Sequence, residues 1–145
     1  LLKNELPKNI LCTWSLNTET IIHQEEHGTA SLTKRLEAAR AVADKGVVVG
    51  FHFHPMVHYK QWAKDYQAVI DQVTDLFNPD EVALVSLGTL TFIKPVIREI
   101  RKRGIESQIL KLPLVNAKGK YSYPDEMKIE MFSHAYHCFP DEWRK

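Results

Sequence analysis

Residues 47–55 read Val-Val-Val-Gly-Phe-His-Phe-His-Pro, and they give the clearest strand signal in the chain. A short run of β-branched and aromatic residues that ends at a proline is typical of a buried strand. We therefore predict a strand over 47–53 that Pro55 ends. Helices are predicted on both sides, over 31–45 and 60–77, because apolar side chains recur there at helical spacing. Strand and helix alternate, which indicates parallel βα units.

The same alternation continues toward both ends of the chain. Three to four βα units amount to about half of an eight-fold barrel or most of a small open sheet. The fold class is therefore predicted as α/β with a parallel sheet. The other predicted elements are a strand at 9–15, a strand at 81–87, a helix at 95–103, an extended run at 107–114 and a helix at 124–138.

Composition narrows the class of protein further. The 145 residues are 44% apolar and 26% charged, which fits one globular segment, 1–145, and excludes a disordered chain. No run approaches the roughly 20 apolar residues of a membrane helix. Two cysteines exclude a disulfide framework and indicate a reducing cytoplasm, and a net charge of +1 argues against strong non-specific nucleic-acid binding. Because the chain starts at Leu1, we expect it to be part of a longer protein.

The carboxyl ends of parallel strands are where active sites form, and here they carry polar groups. The first strand ends at Ser15 and the third at Ser86. His52 and His54 share one face of the second strand, so both imidazoles could meet one metal ion in a metal-dependent hydrolase. Two histidines hydrogen-bonded in a polar pocket are the favoured interpretation, because the neighbouring strand ends lack carboxylates.

Three further segments have both a functional and a structural interpretation. The acidic segment 25–29 could bind a cation or substrate hydroxyls, or be a solvated loop. The basic helix face between 98 and 103 could touch phosphates, although a solvated face is favoured. Residues 118–123 interleave lysines with tyrosines, which allows a nucleic-acid-binding module or a turn with packed tyrosines.

Several of these motifs together resemble the C-terminal half of spore photoproduct lyase and its radical S-adenosylmethionine relatives. They are Trp-Ser-Leu-Asn at 14–17, Glu-His-Gly-Thr-Ala-Ser-Leu at 26–32 and Gly-Phe-His-Phe-His-Pro at 50–55. The resemblance continues through Trp62, Tyr66, Lys94-Pro95 and Gly119-Lys120-Tyr121. It implies that this chain forms the C-terminal half of a partial (β/α)6 TIM-type barrel.

The resemblance also implies an activity. In that family a Cys-x3-Cys-x2-Cys motif binds a four-iron four-sulfur cluster, which reduces S-adenosylmethionine to release a 5′-deoxyadenosyl radical. The radical abstracts hydrogen from a thymine-dimer lesion in DNA. The expected role of this chain is to supply cofactor-side and substrate-side groups, while the N-terminal half of the same polypeptide supplies the cluster ligands. The segment alone is expected to be inactive, and its oligomeric state is left open.

Carried over by position, the resemblance assigns several residues. Ser15 would contact the methionine part of the cofactor, and Asn17, His52 and His54 would belong to the same cofactor pocket. His54 falls where the backbone of the family approaches the adenosine. No catalytic residue and no metal ligand is assigned within the chain.

On the substrate side, Lys120 would contact DNA phosphates from a hairpin, with Tyr121 beside it. The chain also departs from the family pattern. Cys12 does not occupy the place of the hydrogen-donor cysteine. Val115-Asn116 replaces an Arg-Tyr pair, and Thr91 stands where an arginine is expected.

Overall fold

The computed structural model describes residues 9–104 and 108–144, and this part of the chain is built from short strands and helices. Most of the predicted elements are present, with somewhat different ends. In chain order the elements are β1 (Cys12–Ser15), α1 (Glu19–Glu25), α2 (Leu32–Ala43), β2 (Val49–Met56), α3 (Trp62–Leu76), β3 (Val82–Thr89), β4 (Thr91–Ile93), α4 (Lys94–Lys102), β5 (Val115–Ala117), β6 (Lys120–Ser122) and α5 (Asp125–Cys138).

Strands β1, β2 and β3 form a parallel three-stranded sheet with β2 in the middle. The register pairs Ser15 of β1 with His52 of β2, and His52 with Ser86 of β3. The alternation of helices with these strands confirms the predicted parallel βα units. All three strand ends meet at one edge of the sheet, which is where the predicted site residues lie.

The two faces of this sheet have different characters. One face carries Phe51 and Phe53, which are fully buried in the main apolar core. The other face carries Ser15 and His54, which are both exposed, and the half-buried His52. Side chains alternate along a strand, so the His-x-His spacing places both imidazoles on the open face.

The core side of the sheet is covered by helices whose apolar stripes match the predicted ones. Ser31 is the N-cap of α2, since its hydroxyl accepts a hydrogen bond from the Lys34 amide at 3.4 Å. Helix α2 ends before Gly46, whose φ of 75° suits a glycine. The buried stripe residues of α2 and α3 are Leu32, Leu36, Ala39, Val42, Ala43, Trp62, Tyr66, Val69, Ile70 and Val73.

Strand β2 continues past the predicted end at Pro55. The pairing runs from Phe53 with Leu87 to Met56 with Thr89, so β2 holds one residue more than its partner over this step. Pro55 has no amide hydrogen to donate, and a bulge of this kind lets the ladder resume beyond it. Met56 is fully buried, so the last residue of β2 packs in the core.

Helix α1 was not predicted, and of the second sheet only the hairpin that carries Lys120 was expected. Helix α1 has seven residues; its N-cap Thr18 accepts from the Ile21 amide at 3.3 Å, and Ile21 and Ile22 are buried. Strands β4, β6 and β5 form a separate antiparallel sheet in that order. Lys120 and Tyr121 lie on its central strand, β6.

The extended run predicted over 107–114 is wrong within the described residues. Residues Gln108–Lys111 form a short 3-10 helix, and Ser107 lies outside the described residues. Ile109 and Leu112 are three residues apart and both pack against the core, which is the spacing of a 3-10 turn rather than of a strand.

No helix within 9–104 and 108–144 combines the length and the apolar character needed to cross a bilayer.

Candidate functional site

The open face of the parallel sheet carries a row of polar side chains at its carboxyl edge. Ser15, His52 and Ser86 occupy paired positions on β1, β2 and β3, so they lie side by side across the sheet. His54 lies two residues further along β2. Polar side chains on a sheet face left open by the helices are available to a ligand.

His54 is held in place by β3. Its Nε2 lies 2.9 Å from Ser86 Oγ, within hydrogen-bond distance. A Cβ on Gly88 would lie only 2.8 Å from the imidazole, so the glycine leaves the room that the ring occupies. The His52 ring lies 5.9 Å from the His54 ring in an edge-to-face arrangement.

A cavity of about 480 Å³ opens at the carboxyl ends of the three parallel strands. This is the position at which parallel α/β proteins bind small ligands. Asn17 and His54 line the cavity, whereas Ser15 and His52 lie outside its lining. The other lining residues are Ile21, Glu25, Glu26, Pro55, Val57, Thr89, Leu90, Thr91, Phe92 and Ile109.

Asn17 is 1% exposed, and both polar atoms of its side chain have partners within the chain. Its Nδ2 donates to Glu26 Oε1 and to the Pro55 carbonyl, both at 3.1 Å. Its Oδ1 accepts from the Tyr66 hydroxyl at 2.8 Å and from the Thr18 amide at 3.0 Å. Asn17 therefore joins the ends of β1 and β2 to helix α3, and its contact with a cofactor stays a prediction.

The acidic segment after α1 is joined to this network by Arg35. The Arg35 guanidinium pairs with Glu26 at 2.6 Å, and only 10% of the Arg35 side chain is exposed. The same guanidinium donates to the Ser15 carbonyl at 3.0 Å and to the Ala30 carbonyl at 2.9 Å. The Glu26 carboxylate thus accepts hydrogen bonds from Arg35 and Asn17. These contacts hold the acidic segment 25–29 against α2 and the end of β1.

Two tyrosines extend the hydrogen-bond network around Asn17 and Thr18. The Tyr66 hydroxyl accepts from the Val57 amide at 2.8 Å, and burial raises its pKa well above the usual value. The Tyr59 hydroxyl donates to Asp65 Oδ2 at 2.7 Å and lies 2.8 Å from Thr18 Oγ1. Burial is the largest cause that raises the pKa of Tyr59 to about 12, so both tyrosines stay protonated at neutral pH.

Lys120 and Tyr121 lie apart from the cavity lining, on the antiparallel sheet. Lys120 is exposed and Tyr121 is half-buried. The turn that precedes them is closed by Asn116, whose Oδ1 accepts from the Gly119 amide at 3.1 Å. The predicted hairpin is therefore present, and it presents Lys120 to solvent.

The hydrolase and nucleic-acid-module alternatives gain no support. Within the described residues no group of three or more His, Cys, Asp or Glu side chains is arranged to hold a metal ion. His54 instead has a serine partner, which agrees with the favoured interpretation for this one histidine of the pair. The Tyr123 hydroxyl accepts from the His58 amide at 2.9 Å, which is a packing role.

The structure brings together Asn17 and His54 at the cavity and sets Ser15 and His52 beside them on the open face. It adds Arg35, which the sequence reasoning missed. It also gives Tyr66 and Ser86, which the sequence analysis named without a specific role, hydrogen-bond partners within the site. Tyr66 was placed on the apolar face of the predicted helix and among the residues of the family resemblance, without a role in the site. Arg35 follows the Ser31 cap by four residues, but nothing in the pattern indicates its pairing with Glu26.

Comparison with known proteins identifies the family. The family model described as spore photoproduct lyase matches residues 1–135. The spore photoproduct lyase of a Geobacillus species is 31% identical over 117 residues, which cover 76% of this chain and 32% of that protein. The Bacillus subtilis enzyme is 31% identical over 113 residues with the same two coverages. The chain thus spans about a third of the length of these relatives.

Solved structures agree with this match. A spore photoproduct lyase mutant with a dinucleoside spore photoproduct is 27% identical and has a TM-score of 0.75, covering 88% of this chain and 40% of that one. A second mutant, solved with AdoMet and the same dinucleoside, is 25% identical and has a TM-score of 0.76, with the same coverages. The family model covers most of the chain, and this chain is a member of the spore photoproduct lyase family.

Proposed function

We propose that this chain is the C-terminal part of a spore photoproduct lyase-like radical S-adenosylmethionine enzyme. In this role it forms the later βα units of a partial (β/α)6 barrel and supplies one wall of the cofactor pocket. The observation that carries the proposal is the row of polar side chains on the open sheet face, next to a cavity at the strand ends, in a chain that belongs to this family.

The residues present fit the cofactor. Ser15 is exposed at the end of β1 and would hold the methionine part through its hydroxyl. His52 and His54 would line the pocket beside it, and Asn17 would keep the ends of β1 and β2 in register for binding. When bound and reduced, the cofactor supplies the 5′-deoxyadenosyl radical that abstracts hydrogen from the substrate.

The cluster ligands would come from preceding sequence. The chain has only two cysteines, Cys12 and Cys138, which cannot supply the three ligands of a Cys-x3-Cys-x2-Cys motif. Both are free thiols, which suits a reducing cytoplasm. A chain that covers about a third of its relatives would then be inactive until joined to the cluster-binding half.

The proposed substrate is a thymine-dimer lesion in DNA. Structures of family members hold a dinucleoside spore photoproduct. Lys120 on the exposed hairpin would contact the DNA phosphates, with Tyr121 beside it. Val115 and Asn116 occupy β5 of that hairpin, so the hairpin would grip the lesion with fewer charged groups than an Arg-Tyr pair provides.

The test begins with the whole reading frame that contains this chain. We expect that frame to encode Cys-x3-Cys-x2-Cys upstream, and its product to give an iron–sulfur absorbance after anaerobic reconstitution. The 145-residue chain treated in the same way should give none. A frame without the cysteine motif, or a cluster that forms on this chain alone, would refute the proposal.

The role of Ser15 has its own control within this experiment. Replacing Ser15→Ala in the reconstituted product should weaken S-adenosylmethionine binding about tenfold, the effect of losing one hydrogen bond to a charged group. The matched variant Thr33→Ala changes an exposed hydroxyl on α2, outside the site, and should bind the cofactor normally.

A further inference from the structure

We propose that the cleft between helix α4 and the β5–β6 hairpin binds the sugar-phosphate backbone of a DNA strand. This inference rests on the proposed function and adds a contact surface to it. The cleft has a volume of about 300 Å³ and is distinct from the cavity at the strand ends. Its polar groups are Lys94, Arg98 and Arg101, with Tyr121 on the hairpin side.

The three basic side chains lie along one face of α4. Residues spaced by four and by three positions share a helix face, and a rise of about 1.5 Å per residue spreads Lys94, Arg98 and Arg101 over about 10 Å. Successive phosphates of one DNA strand follow each other at about 3.4 Å along the duplex axis. The basic face is therefore long enough to follow several phosphates, which is more than a single small anion needs.

The described part of the chain offers these charges no acidic partner. Helix α4 carries four basic residues and one acidic residue, Glu99. Glu99 pairs with Arg103 at 2.8 Å. Among the residues that the structure describes, Lys94, Arg98 and Arg101 form no ion pair, and all three side chains are exposed. A row of unpaired cations next to an aromatic ring suits phosphates with a stacked base or sugar.

The position of the cleft connects it with the proposed active site. Thr91 and Phe92 of β4 line the cavity, and Lys94 follows two residues after Phe92. In the ladder, Phe92 pairs with Tyr121 and Ile93 pairs with Lys120. The basic face of α4 thus lies next to the hairpin, and the hairpin lies next to the cavity. A DNA strand that leaves the cavity would meet these surfaces in turn.

The experiment measures DNA binding by the 145-residue chain with a fluorescent single-stranded thymidine oligonucleotide at several salt concentrations. The variant Lys94→Gln/Arg98→Gln/Arg101→Gln should weaken binding on the order of tenfold or more at low salt. Loss of three phosphate contacts should also reduce the slope of log K against log salt by about 2. The matched control Lys34→Gln/Lys45→Gln/Lys64→Gln removes three exposed cations from elsewhere and should change that slope little.

Three further arms decide what the cleft recognises. A peptide nucleic acid of the same sequence has no phosphates and should not bind. Inorganic phosphate at concentrations well above that of the oligonucleotide should not compete, because one anion cannot match several contacts. Three outcomes would overturn the inference. The first is that both triple variants weaken DNA binding equally, and the second is that the peptide nucleic acid binds. The third is that the chain binds anionic lipid vesicles as tightly as the oligonucleotide and that the cleft variant abolishes this binding.

The same variants separate this inference from the proposed function. In the reconstituted whole-frame product without DNA, the cleft variant should bind S-adenosylmethionine normally, because the cleft lies outside the cavity. Normal cofactor binding with unchanged DNA affinity would reject the cleft alone. If the whole-frame product without any substitution does not bind S-adenosylmethionine, the proposed function is rejected.

Discussion

Asn17 shows how one buried amide organises the candidate site. Four hydrogen bonds converge on its side chain from Glu26, Pro55, Tyr66 and Thr18. The Asn-after-strand motif could be predicted to belong to the site, because it stands at a strand end in a motif of the family. Its partners could not, because Tyr66 lies 49 residues away and meets it only through the packing of α3.

Replacing Asn17→Ala should lower the free energy of unfolding by about 3 kcal/mol, because buried partners lose their hydrogen bonds. Urea unfolding measures the change. The control Gln24→Ala alters an exposed residue of α1 and should stay within about 0.5 kcal/mol of the unaltered chain. A decrease of less than about 1 kcal/mol in the free energy of unfolding of Asn17→Ala would contradict the stabilising role inferred for these hydrogen bonds.

Gly88 and His54 form a second residue-scale pair. Adding a methyl group in Gly88→Ala would place a Cβ 2.8 Å from the imidazole, which must then swing away from Ser86. The His54 ring signals in NMR spectra should move in Gly88→Ala as they do in Ser86→Ala. The melting temperature should change little, because the displaced atoms belong to the tip of an exposed side chain.

The double variant Gly88→Ala/His54→Ala supplies the control for steric strain. Without the imidazole, the added methyl group has no ring to displace, so any change in melting temperature caused by Gly88→Ala should disappear in the His54→Ala background. Unmoved His54 signals in the single variant would contradict the contact.

At the scale of elements, Arg40 ties the end of α2 to the segment before β3. It donates to the Leu76 carbonyl at 2.8 Å, pairs with Glu81 through both terminal nitrogens and lies 4.8 Å from the centre of the Phe77 ring. Hydrogen bonds from Arg40, then from the Asn78 amide, lower the pKa of Glu81 from its usual 4.5 to about 2. The ion pair therefore stabilises the fold only while Glu81 is ionised.

The variant Glu81→Gln should reduce stability by about 1 kcal/mol at neutral pH, the scale of a well-formed surface pair with an aromatic contact. Because the folded-state pKa is depressed, this contribution is complete above about pH 4.5 and is lost as the pH falls toward 2. Urea unfolding of both proteins across this range measures the difference. Glu37→Gln, an exposed carboxylate on α2, should show no comparable pH-dependent difference.

The elements differ in how far the sequence predicts them. Helices α2 and α3 are long enough for an apolar stripe to repeat several times, and both were predicted. Helix α1 has seven residues with two buried isoleucines, which is too short to show a period. Strands β4, β5 and β6 have three residues each, and such strands gain their stability from pairing across the sheet rather than from local pattern.

At the scale of the whole molecule, the parallel sheet has a covered face and an open face. Ser15, His52 and His54 occupy the open face, whereas Asn17 is buried beyond the end of β1. The antiparallel sheet and α4 lie next in the chain and carry the basic groups. The proposed cofactor wall on β1 and β2 is thus connected to the proposed nucleic-acid surface on α4 through β3 and β4. This division explains why a chain with a net charge of +1 can still present a local basic cleft.

Formation of 5′-deoxyadenosine from S-adenosylmethionine by the reconstituted product of the whole reading frame tests the central claim most directly. The proposal predicts reductant-dependent formation of 5′-deoxyadenosine that decreases in Ser15→Ala at limiting cofactor and recovers at saturating cofactor. A product that carries its iron–sulfur cluster but forms no 5′-deoxyadenosine, or forms it with unchanged cofactor dependence in Ser15→Ala, would contradict the assignment of this chain as a wall of the cofactor pocket.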